Sequence, residues 1–499
     1  MRPLNKEELD MSKKINPKLL PFKKGDILEV EIDEMAFGGN GIVWTEIPDG
    51  RVPIFIENAI KGQTRQVQIT KIDRRHIEAR DIALLHPSPI EIEIPYQAIP
   101  GAPYATLPYN EQQQFKQNEV LQLLNRIGKI EASSRFDTYL ASPSLWHYRN
   151  KMEYSFSVIR WDKEKNDTSD DFALGFKKKG TWWIVEPLHK DSGLLDADLE
   201  GNLKRIEDWC IKSQLPAWHP PQRHGFYRYL VARKSYLQDQ ILLNLVTTDE
   251  GIEKFDSAGW VKLLKDILGE RLAGVIHTIN NDTGDRVDPL NGEHRILFGR
   301  DKITEDILGL QFEISMKSFF QTNPKSAERL YAKAIDYVKE VGQSGTILDL
   351  FCGTGTISQL LKKAGFNEVI GVDIEPKAIE NAKENAARNN IENLTFFATD
   401  VGKFLLEQPH YQNQLQVLMM DPPRAGIAPK TLRKVIDLNA KYIVYISCNP
   451  ATFARDTETL ASNGYTLEKW SLIDQFPHTS HVEVLGRFKR ESTFEKKDQ

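Results

Sequence analysis

The sequence predicts an α/β protein in which a doubly wound parallel sheet follows a small β-barrel and an α+β domain. Its 499 residues correspond to about three domains at roughly 150 residues each. From residue 311 to 490, short apolar strands alternate with amphipathic helices, as in a Rossmann-like sheet with helices on both faces. Residues 22–82 instead contain short strands separated by glycine turns, which predicts a small antiparallel β-barrel.

The other segments have weaker patterns. Residues 1–21 and 491–499 are polar and predict tails. We expect residues 83–310 to form the central α+β domain, with a proline-rich linker over 85–108. Apolar residues at helical spacing predict a helix over about 111–130.

Composition and charge restrict the possible functions. No run of 18 apolar residues and no apolar signal segment occurs, so we expect a cytoplasmic protein without a membrane partner. The net charge of −5 argues against a protein that coats nucleic acid. Residues 61–80 nevertheless carry six Lys or Arg, and residues 223–236 carry four together with three tyrosines. These patches favour an enzyme that contacts RNA or DNA locally, although solvated surface charge explains each patch equally well.

Candidate cofactor ligands follow the strands of the parallel sheet, where ligands of such sheets bind. A Gly-Thr-Gly loop at 353–355 follows the first strand, and Gly353 lets the backbone approach a ligand closely. Asp373 ends the second strand, where an acid commonly accepts hydrogen bonds from ribose; a helix N-cap is the alternative. Asp421 ends the fourth strand. NAD would need a third glycine where Ser358 stands, so the loop favours S-adenosylmethionine, which has no phosphate.

Cys448 is the candidate nucleophile. It lies between an apolar strand and a helix, and the helix N-terminus predicts a lowered thiol pKa. A buried, inert cysteine is the alternative, as we expect for Cys210. Glu483 begins the last strand and is a general base if it faces the cleft. The histidines at 478 and 481 are expected in a turn or on the surface, and the cysteine spacing predicts no metal site.

Together these motifs resemble those of the RNA uracil-5-methyltransferases, in particular the bacterial enzymes that make 5-methyluridine in 23S ribosomal RNA. The resemblance is strong across 310–490. Residues 22–81 also resemble the RNA-binding TRAM domain, and Tyr-Arg-Asn-Lys-Met-Glu at 148–153 resembles part of the family's central domain. The resemblance further implies that the helix predicted at 111–130 packs on the catalytic domain rather than on the central domain. The matching catalytic motifs are 318–323 (SFFQTN), 349–355 (DLFCGTG), 371–373 (GVD), 421–426 (DPPRAG), 447–450 (SCNP), and 476–479 (FPHT) through Glu483.

The resemblance implies methylation of an RNA uridine at C5, most simply in 23S rRNA, with S-adenosylmethionine as cofactor. It assigns Cys448 to attack uracil C6 and Glu483 to remove the C5 proton. Phe319 matches a residue that stacks on the flipped base, and Arg424 is a candidate to hold the enolate or a phosphate. The residues expected to bind the cofactor are Gln321, Phe351, Gly353, Asp373, Asp400 on the adenine side, and Asp421.

Several alternatives stay open. Many members with a TRAM domain hold an iron–sulfur cluster with four cysteines; this chain has three, so no cluster is expected. Transfer RNA is an alternative substrate, and an RNA-binding assembly factor without catalysis is an alternative function. Two other classes of methyltransferase fit less well. Enzymes that methylate an exocyclic amine normally have an aromatic residue at the position of Arg424, and DNA cytosine-5-methyltransferases normally have a proline at the position of Ser447. The sequence indicates no obligate protein partner, and a monomer is the default expectation.

Overall fold

The computed structural model describes residues 15–491 except 37, 49, 75, 164 and 290–291. Of the polar tails predicted at 1–21 and 491–499, residues 1–14 and 492–499 lie outside the described residues. The chain divides into two compact units: 1–119 with 477–480, and 120–476 with 481–499. Among the described residues, no helix is both long and apolar enough to span a membrane.

The first unit is a six-stranded sheet. Alternating residues of its strands, such as Val67 and Ile69, fill its core, as expected for strands with one buried face. One expectation is wrong, because the fourth and sixth strands pair in parallel, with Ile54 opposite Ile77. The strands, in the spatial order β1-β5-β6-β4-β3-β2, are β1 (Ile27–Glu31), β2 (Glu34–Ala36), β3 (Asn40–Ile47), β4 (Gly50–Glu57), β5 (Thr64–Ile72) and β6 (Ile77–His86).

Two segments of the first unit are more ordered than the sequence suggested. Ile15, in the predicted tail, is buried, and its amide donates to the Arg74 carbonyl at 2.6 Å. The predicted linker contributes Tyr104 and Leu107 to a small apolar cluster. His478 lies in a turn, as expected, and is buried there: its carbonyl accepts the Tyr104 amide at 2.9 Å, and its Nδ1 is 3.1 Å from the Gln112 side-chain nitrogen.

Helix α1 (Tyr109–Arg126) begins and ends slightly before the predicted limits. Its residues Val120 and Leu124 belong to the second unit, as do Leu418 and Tyr445 of the same buried apolar cluster. The next element, β7 (Phe136–Leu140), was not predicted and belongs to the catalytic sheet described below.

The central region contains a seven-stranded sheet with three helices. Its strand order is β10-β9-β8-β11-β12-β13-β14, and most neighbours are antiparallel. These elements are β8 (Lys151–Asp162), β9 (Asp167–Lys177), β10 (Val185–Pro187), α2 (Ala197–Gly201), α3 (Leu203–Lys212), β11 (Tyr227–Ser235), β12 (Gln240–Thr247), α4 (Ser257–Leu268), β13 (Leu272–Ile279) and β14 (Glu293–Gly299).

The catalytic region contains the predicted parallel arrangement in strands β19, β18, β17, β20 and β21, but β23 runs antiparallel to β21 and β22, so the sheet is mixed. Its eight strands follow the order β19-β18-β17-β20-β21-β23-β22-β7. The elements are β15 (Lys302–Ile307), β16 (Leu310–Ser315), α5 (Pro324–Lys339), β17 (Thr346–Leu350), α6 (Thr356–Lys363), β18 (Glu368–Asp373), α7 (Pro376–Arg388), β19 (Leu394–Ala398), α8 (Val401–Glu407), β20 (Leu415–Met420), α9 (Pro429–Asp437), β21 (Tyr442–Ser447), α10 (Pro450–Ala461), β22 (Tyr465–Ile473) and β23 (Glu483–Arg490).

The central and catalytic regions share one core. Val231 and Leu242 of the central sheet lie in the same apolar cluster as Ile314, Leu330 and Ile347 of the catalytic region. The hairpin β15–β16 crosses the predicted boundary at residue 310, and β7 pairs in parallel with β22. Because burial of apolar surface dominates folding, a continuous core makes these two regions a single compact unit.

Candidate active site

Four predicted functional segments meet at one edge of the catalytic sheet. Strands β18, β17, β20 and β21 are parallel neighbours in that order. Their carboxyl ends carry Asp373, the 351–355 loop, Asp421 and Cys448, respectively. This edge is where open α/β sheets bind their ligands.

The glycine loop is bent by three left-handed residues, Phe351, Gly353 and Gly355, with φ values of 64°, 52° and 76°. A Cβ on Gly355 would lie 2.7 Å from the Phe396 ring, so close packing requires glycine there. A Cβ on Gly353 would meet nothing within 4 Å. The backbone at Gly353 therefore has open space beside it, which suits close approach by a ligand.

Asp373 connects this loop to the second strand. Its Oδ2 accepts the Gly353 amide at 2.9 Å, and its Oδ1 accepts the Glu375 amide at 2.9 Å. The N-cap of helix α7 is Glu375, so the alternative assignment of Asp373 as the cap is wrong. Each carboxylate oxygen has two acceptor sites, which leaves capacity for ribose hydroxyls.

Asp400 lies two residues beyond β19 rather than at its end. It is exposed, and its Oδ1 caps helix α8 by accepting the Lys403 amide at 3.1 Å. The preceding residue, Thr399, donates its amide to the Asp373 carbonyl at 2.8 Å, which brings the Asp400 turn close to the predicted ribose acid.

Two carboxyl groups near the glycine loop are shielded from water, Asp349 completely and Asp421 in part. Burial raises the pKa of Asp349 to about 7, although the Ser358 hydroxyl donates to its Oδ2. The other oxygen of Asp349 has no hydrogen-bond partner among the described residues. Burial likewise raises the pKa of Asp421 to about 7. Both groups are thus largely uncharged below neutral pH.

Strand pairing brings the candidate nucleophile and base together. In the antiparallel register of β21 and β23, Ser447 lies opposite Val484. Continuing this register by one residue places Cys448 opposite Glu483, and residues that face each other across such a pair are close neighbours. Consistent with this, the Glu483 carboxylate raises the pKa of Cys448.

The expectation that Cys448 has a lowered pKa is wrong for this structure. The pKa of the half-buried thiol rises from 9.0 to about 11, first because of burial and then because Glu483 and Asp421 repel the thiolate. Arg424 opposes this rise. At the adjacent N-terminus of α10, Asn449 caps the helix with its own side chain. Glu483 is fully buried, and burial together with Asp421 raises its pKa to about 8.

The Phe319 loop, residues 318–323, presents an exposed aromatic side chain beside a buried one. Phe319 is 75 % exposed, whereas Phe320 is 9 % exposed and packs near Phe312 with 6.2 Å between ring centroids. Large exposed aromatic rings are uncommon on soluble proteins, and this ring is free to stack on a base.

Residues that the sequence did not single out hold the Phe319 loop. Asn150 donates its backbone amide to the Thr322 carbonyl at 2.7 Å and its side chain to the Gln321 carbonyl at 2.9 Å. Gln475 donates to the Gln321 side chain at 3.3 Å and to the Asn323 carbonyl at 3.1 Å. Asn150 lies in the motif at 148–153, and Gln475 immediately precedes the motif at 476–479. Sequence spacing does not show that either segment contacts the Phe319 loop.

Arg233 of β11 adds a further contact to this loop. Its Nη2 donates to the Ser318 carbonyl at 2.7 Å, whereas its Nε and Nη1 have no hydrogen-bond partner among the described residues. Burial lowers the pKa of this arginine to about 10. The central sheet therefore supports the loop through both Asn150 and Arg233.

One cluster elsewhere has metal-ligand chemistry. Asp73, His76 and Glu78 lie close together in the first unit. Lys71 Nζ is 2.6 Å from Asp73 and 3.2 Å from Glu78, so an ammonium group already neutralises these exposed carboxylates. The cluster therefore does not indicate a metal site.

Comparison with known proteins identifies the family of this chain. The family model described as tRNA (Uracil-5-)-methyltransferase matches residues 291–490. An uncharacterized RNA methyltransferase of Caldanaerobacter subterraneus is 36% identical over 467 residues, with 93% of this chain and 98% of that protein covered. Another from Clostridium acetobutylicum is 37% identical over 475 residues, covering 94% and 99%.

The chain belongs to the RNA uracil-5-methyltransferase family. It is accordingly an S-adenosylmethionine-dependent RNA methyltransferase. The crystal structure of Pyrococcus abyssi tRNA (uracil-54, C5)-methyltransferase, in complex with S-adenosyl-L-homocysteine, is similar with a TM-score of 0.67 at 24% identity. The match covers 92% of this chain and 99% of that one, so the fold is shared along almost the whole length.

Proposed function

We propose that this protein methylates C5 of a specific uridine in 23S ribosomal RNA, with Cys448 as nucleophile and Glu483 as base. One observation carries the proposal: the register of β21 and β23 sets a thiol beside a carboxyl group at the ligand-binding edge of a methyltransferase sheet. Neither group is needed for methylation of an exocyclic amine, which makes their juxtaposition specific to attack on a pyrimidine ring.

The cofactor site fits S-adenosylmethionine. The open backbone at Gly353 and the spare acceptor sites of Asp373 suit a ligand that offers ribose hydroxyls but no phosphate. The residues proposed to hold it are Gln321, Phe351, Gly353, Asp373, Asp400 and Asp421. The cofactor supplies an electrophilic methyl group and a positive sulfonium charge.

The thiol of Cys448 activates the target base. Addition of its thiolate to uracil C6 moves the C5–C6 electron pair toward O4, and the resulting enolate is nucleophilic at C5. A pKa near 11 makes the thiolate scarce before substrate and cofactor arrive. Arg424 favours ionisation of the thiol, and the sulfonium of a bound cofactor would add positive charge that acts in the same direction.

Glu483 completes the reaction. Once C5 carries the methyl group, the Glu483 carboxylate removes the C5 proton, the C5–C6 double bond re-forms and the thiolate leaves C6. A pKa of about 8 suits this role, because a base is most effective when its pKa lies near the working pH. Phe319 is proposed to stack on the flipped uracil, since its exposed ring has an open face.

The RNA target is inferred from the rest of the chain. We assign the N-terminal sheet, residues 22–82, as an RNA-binding TRAM domain, and this domain together with the central domain favours ribosomal RNA as the target. Transfer RNA is the second candidate, favoured by the description of the family model and by the substrate named for the Pyrococcus abyssi protein.

Nucleoside mass spectrometry distinguishes these targets. We expect 23S rRNA from a deletion strain to lose 5-methyluridine, and we expect the wild-type gene, but not a Cys448→Ala variant, to restore it. Loss confined to transfer RNA would establish the second candidate. Unchanged 5-methyluridine in both RNAs, or full restoration by Cys448→Ala, would refute the proposed reaction.

A further inference from the structure

A shallow pocket in the central region combines aromatic rings with cations. It lies toward the β10 end of the seven-stranded sheet. No part of the mechanism described above uses it. Its lining includes Lys177, Trp182, Trp183, Trp218, Arg228 and Tyr229.

Trp182 forms the exposed rim of this pocket. The ring is 46% exposed and lies edge-to-face with Trp183, with 5.4 Å between ring centroids. It is carried by an ordered turn, in which the Lys178 carbonyl accepts both the backbone amide and the hydroxyl of Thr181, at 3.1 and 3.0 Å. The turn therefore holds part of the Trp182 ring toward solvent, where another aromatic ring can stack on it.

The charge around the rings is mainly positive. Lys177 ends β9, Lys178 and Lys179 begin the turn, and the Arg228 guanidinium lies 4.4 Å from the Trp218 ring centre. Two carboxyl groups oppose them. Asp285 accepts hydrogen bonds from Tyr229 and Lys177, and burial raises the pKa of Glu186.

We propose that the rim of this pocket binds an unpaired nucleotide of the RNA substrate, with the base stacked on Trp182 and the phosphate near Lys179. The inference rests on the proposed function, since it names a second contact for the same RNA. Aromatic platforms flanked by basic side chains are how proteins bind single-stranded RNA, because every base has a face that stacks. Protein interfaces, in contrast, are depleted in lysine, which argues against a protein partner.

Binding of the full-length protein to a fluorescent 12-mer of oligouridine tests the platform. We expect Trp182→Ala to raise the Kd about five- to tenfold and Trp182→Phe to stay near wild type, because phenylalanine still stacks. Inorganic polyphosphate should bind Trp182→Ala and wild type equally, but should bind Lys179→Ala more weakly. The control for Trp182→Ala is Ile211→Ala, at an apolar residue that is 45% exposed, and the control for Lys179→Ala is Lys262→Ala. Neither control should change the Kd for oligouridine or the Kd for polyphosphate.

Two outcomes would overturn the inference: an unchanged oligouridine Kd for Trp182→Ala, or equal weakening by Ile211→Ala. Photo-crosslinking with 4-thiouridine RNA gives an independent measurement, because peptide 177–183 should carry the crosslink and Trp182→Ala should lose it. Crosslinks confined to other peptides would refute the site. Binding is measured without catalysis, so a protein that fails to methylate uridine but binds through Trp182 would refute the proposed function alone.

Discussion

The reactivity of Cys448 should depend on the charge of Glu483. With a pKa near 11 rather than 9.0, the thiol supplies about a hundredfold less thiolate at pH 8 than an ordinary cysteine. Glu483 contributes to that rise only when it is ionised, and its own pKa is about 8. Replacing Glu483 by Gln should therefore speed alkylation of Cys448 at high pH and not at low pH.

The expected increase in alkylation rate depends on how much of the raised Cys448 pKa comes from Glu483 and how much from burial. Burial is the largest and remains in the Glu483→Gln variant, so only part of the hundredfold deficit is recovered. Removing a neighbouring like charge is worth about 0.5–1 pKa unit here, or roughly three- to tenfold in alkylation rate at pH 9. At pH 6.5 both side chains are neutral, and the two rates should agree.

Iodoacetamide labelling measured by peptide mass spectrometry is the assay. Cys210 and Cys352 are buried and have raised pKa values, so they should label slowly and serve as internal references. Glu392→Gln is the matched control, because Glu392 is an exposed carboxylate that does not contribute to the raised pKa of Cys448. Equal acceleration at both pH values, or none at pH 9, would show that the two side chains are not electrostatic neighbours.

Three other predictions concern stability. In the folded protein the pKa values of Asp421 and Glu483 are near 7 and 8, above their ordinary values of 3.8 and 4.5. Between these values the native state binds more protons than the unfolded state, so the contribution of each group to stability should fall as the pH rises from about 4 through 8. The fall is at most ~1.4 kcal/mol per pH unit for each group. Thermal melts should show a flatter pH profile for Asp421→Asn/Glu483→Gln, and an unchanged profile would contradict this. Gly355→Ala should lower the free energy of unfolding, measured in urea, by ~1–3 kcal/mol, because the added Cβ would lie 2.7 Å from an aromatic ring and the φ of this residue is +76°. Gly353→Ala should lower it less, because a Cβ there meets nothing within 4 Å. An equal loss in the two variants would refute the packing argument. Asn150→Ala removes a side-chain hydrogen bond to the Phe319 loop and should cost ~1–3 kcal/mol while raising the KM for RNA; an unaltered KM would show that the loop does not need this support.

Much of the candidate site was predictable from sequence because chain order and sheet geometry are coupled. Apolar strands alternating with helices predict a parallel sheet, and the carboxyl ends of parallel strands lie at one edge. The loop at 351–355, Asp373, Asp421 and Cys448 each follow such a strand, so their convergence needed no coordinates. Assignments that depended on local capping were less secure, and Glu375 rather than Asp373 proved to cap its helix.

The support around the site was not predictable in this way. Asn150 and Gln475 reach the Phe319 loop from distant parts of the chain, and β7 joins the catalytic sheet although it lies in the predicted central domain. Periodicity reports which face of an element is buried, but it does not report which other element covers that face.

The sequence by itself determined the order of strands and helices, the motifs at the strand ends and hence the class of reaction. Only the tertiary structure decided the state of the thiol. A helix N-terminus next to Cys448 predicted a lowered pKa, yet burial and the carboxyl groups of Asp421 and Glu483 raise it. Desolvation and Coulomb repulsion depend on distance in space, and the chain separation between these residues contains no measure of that distance.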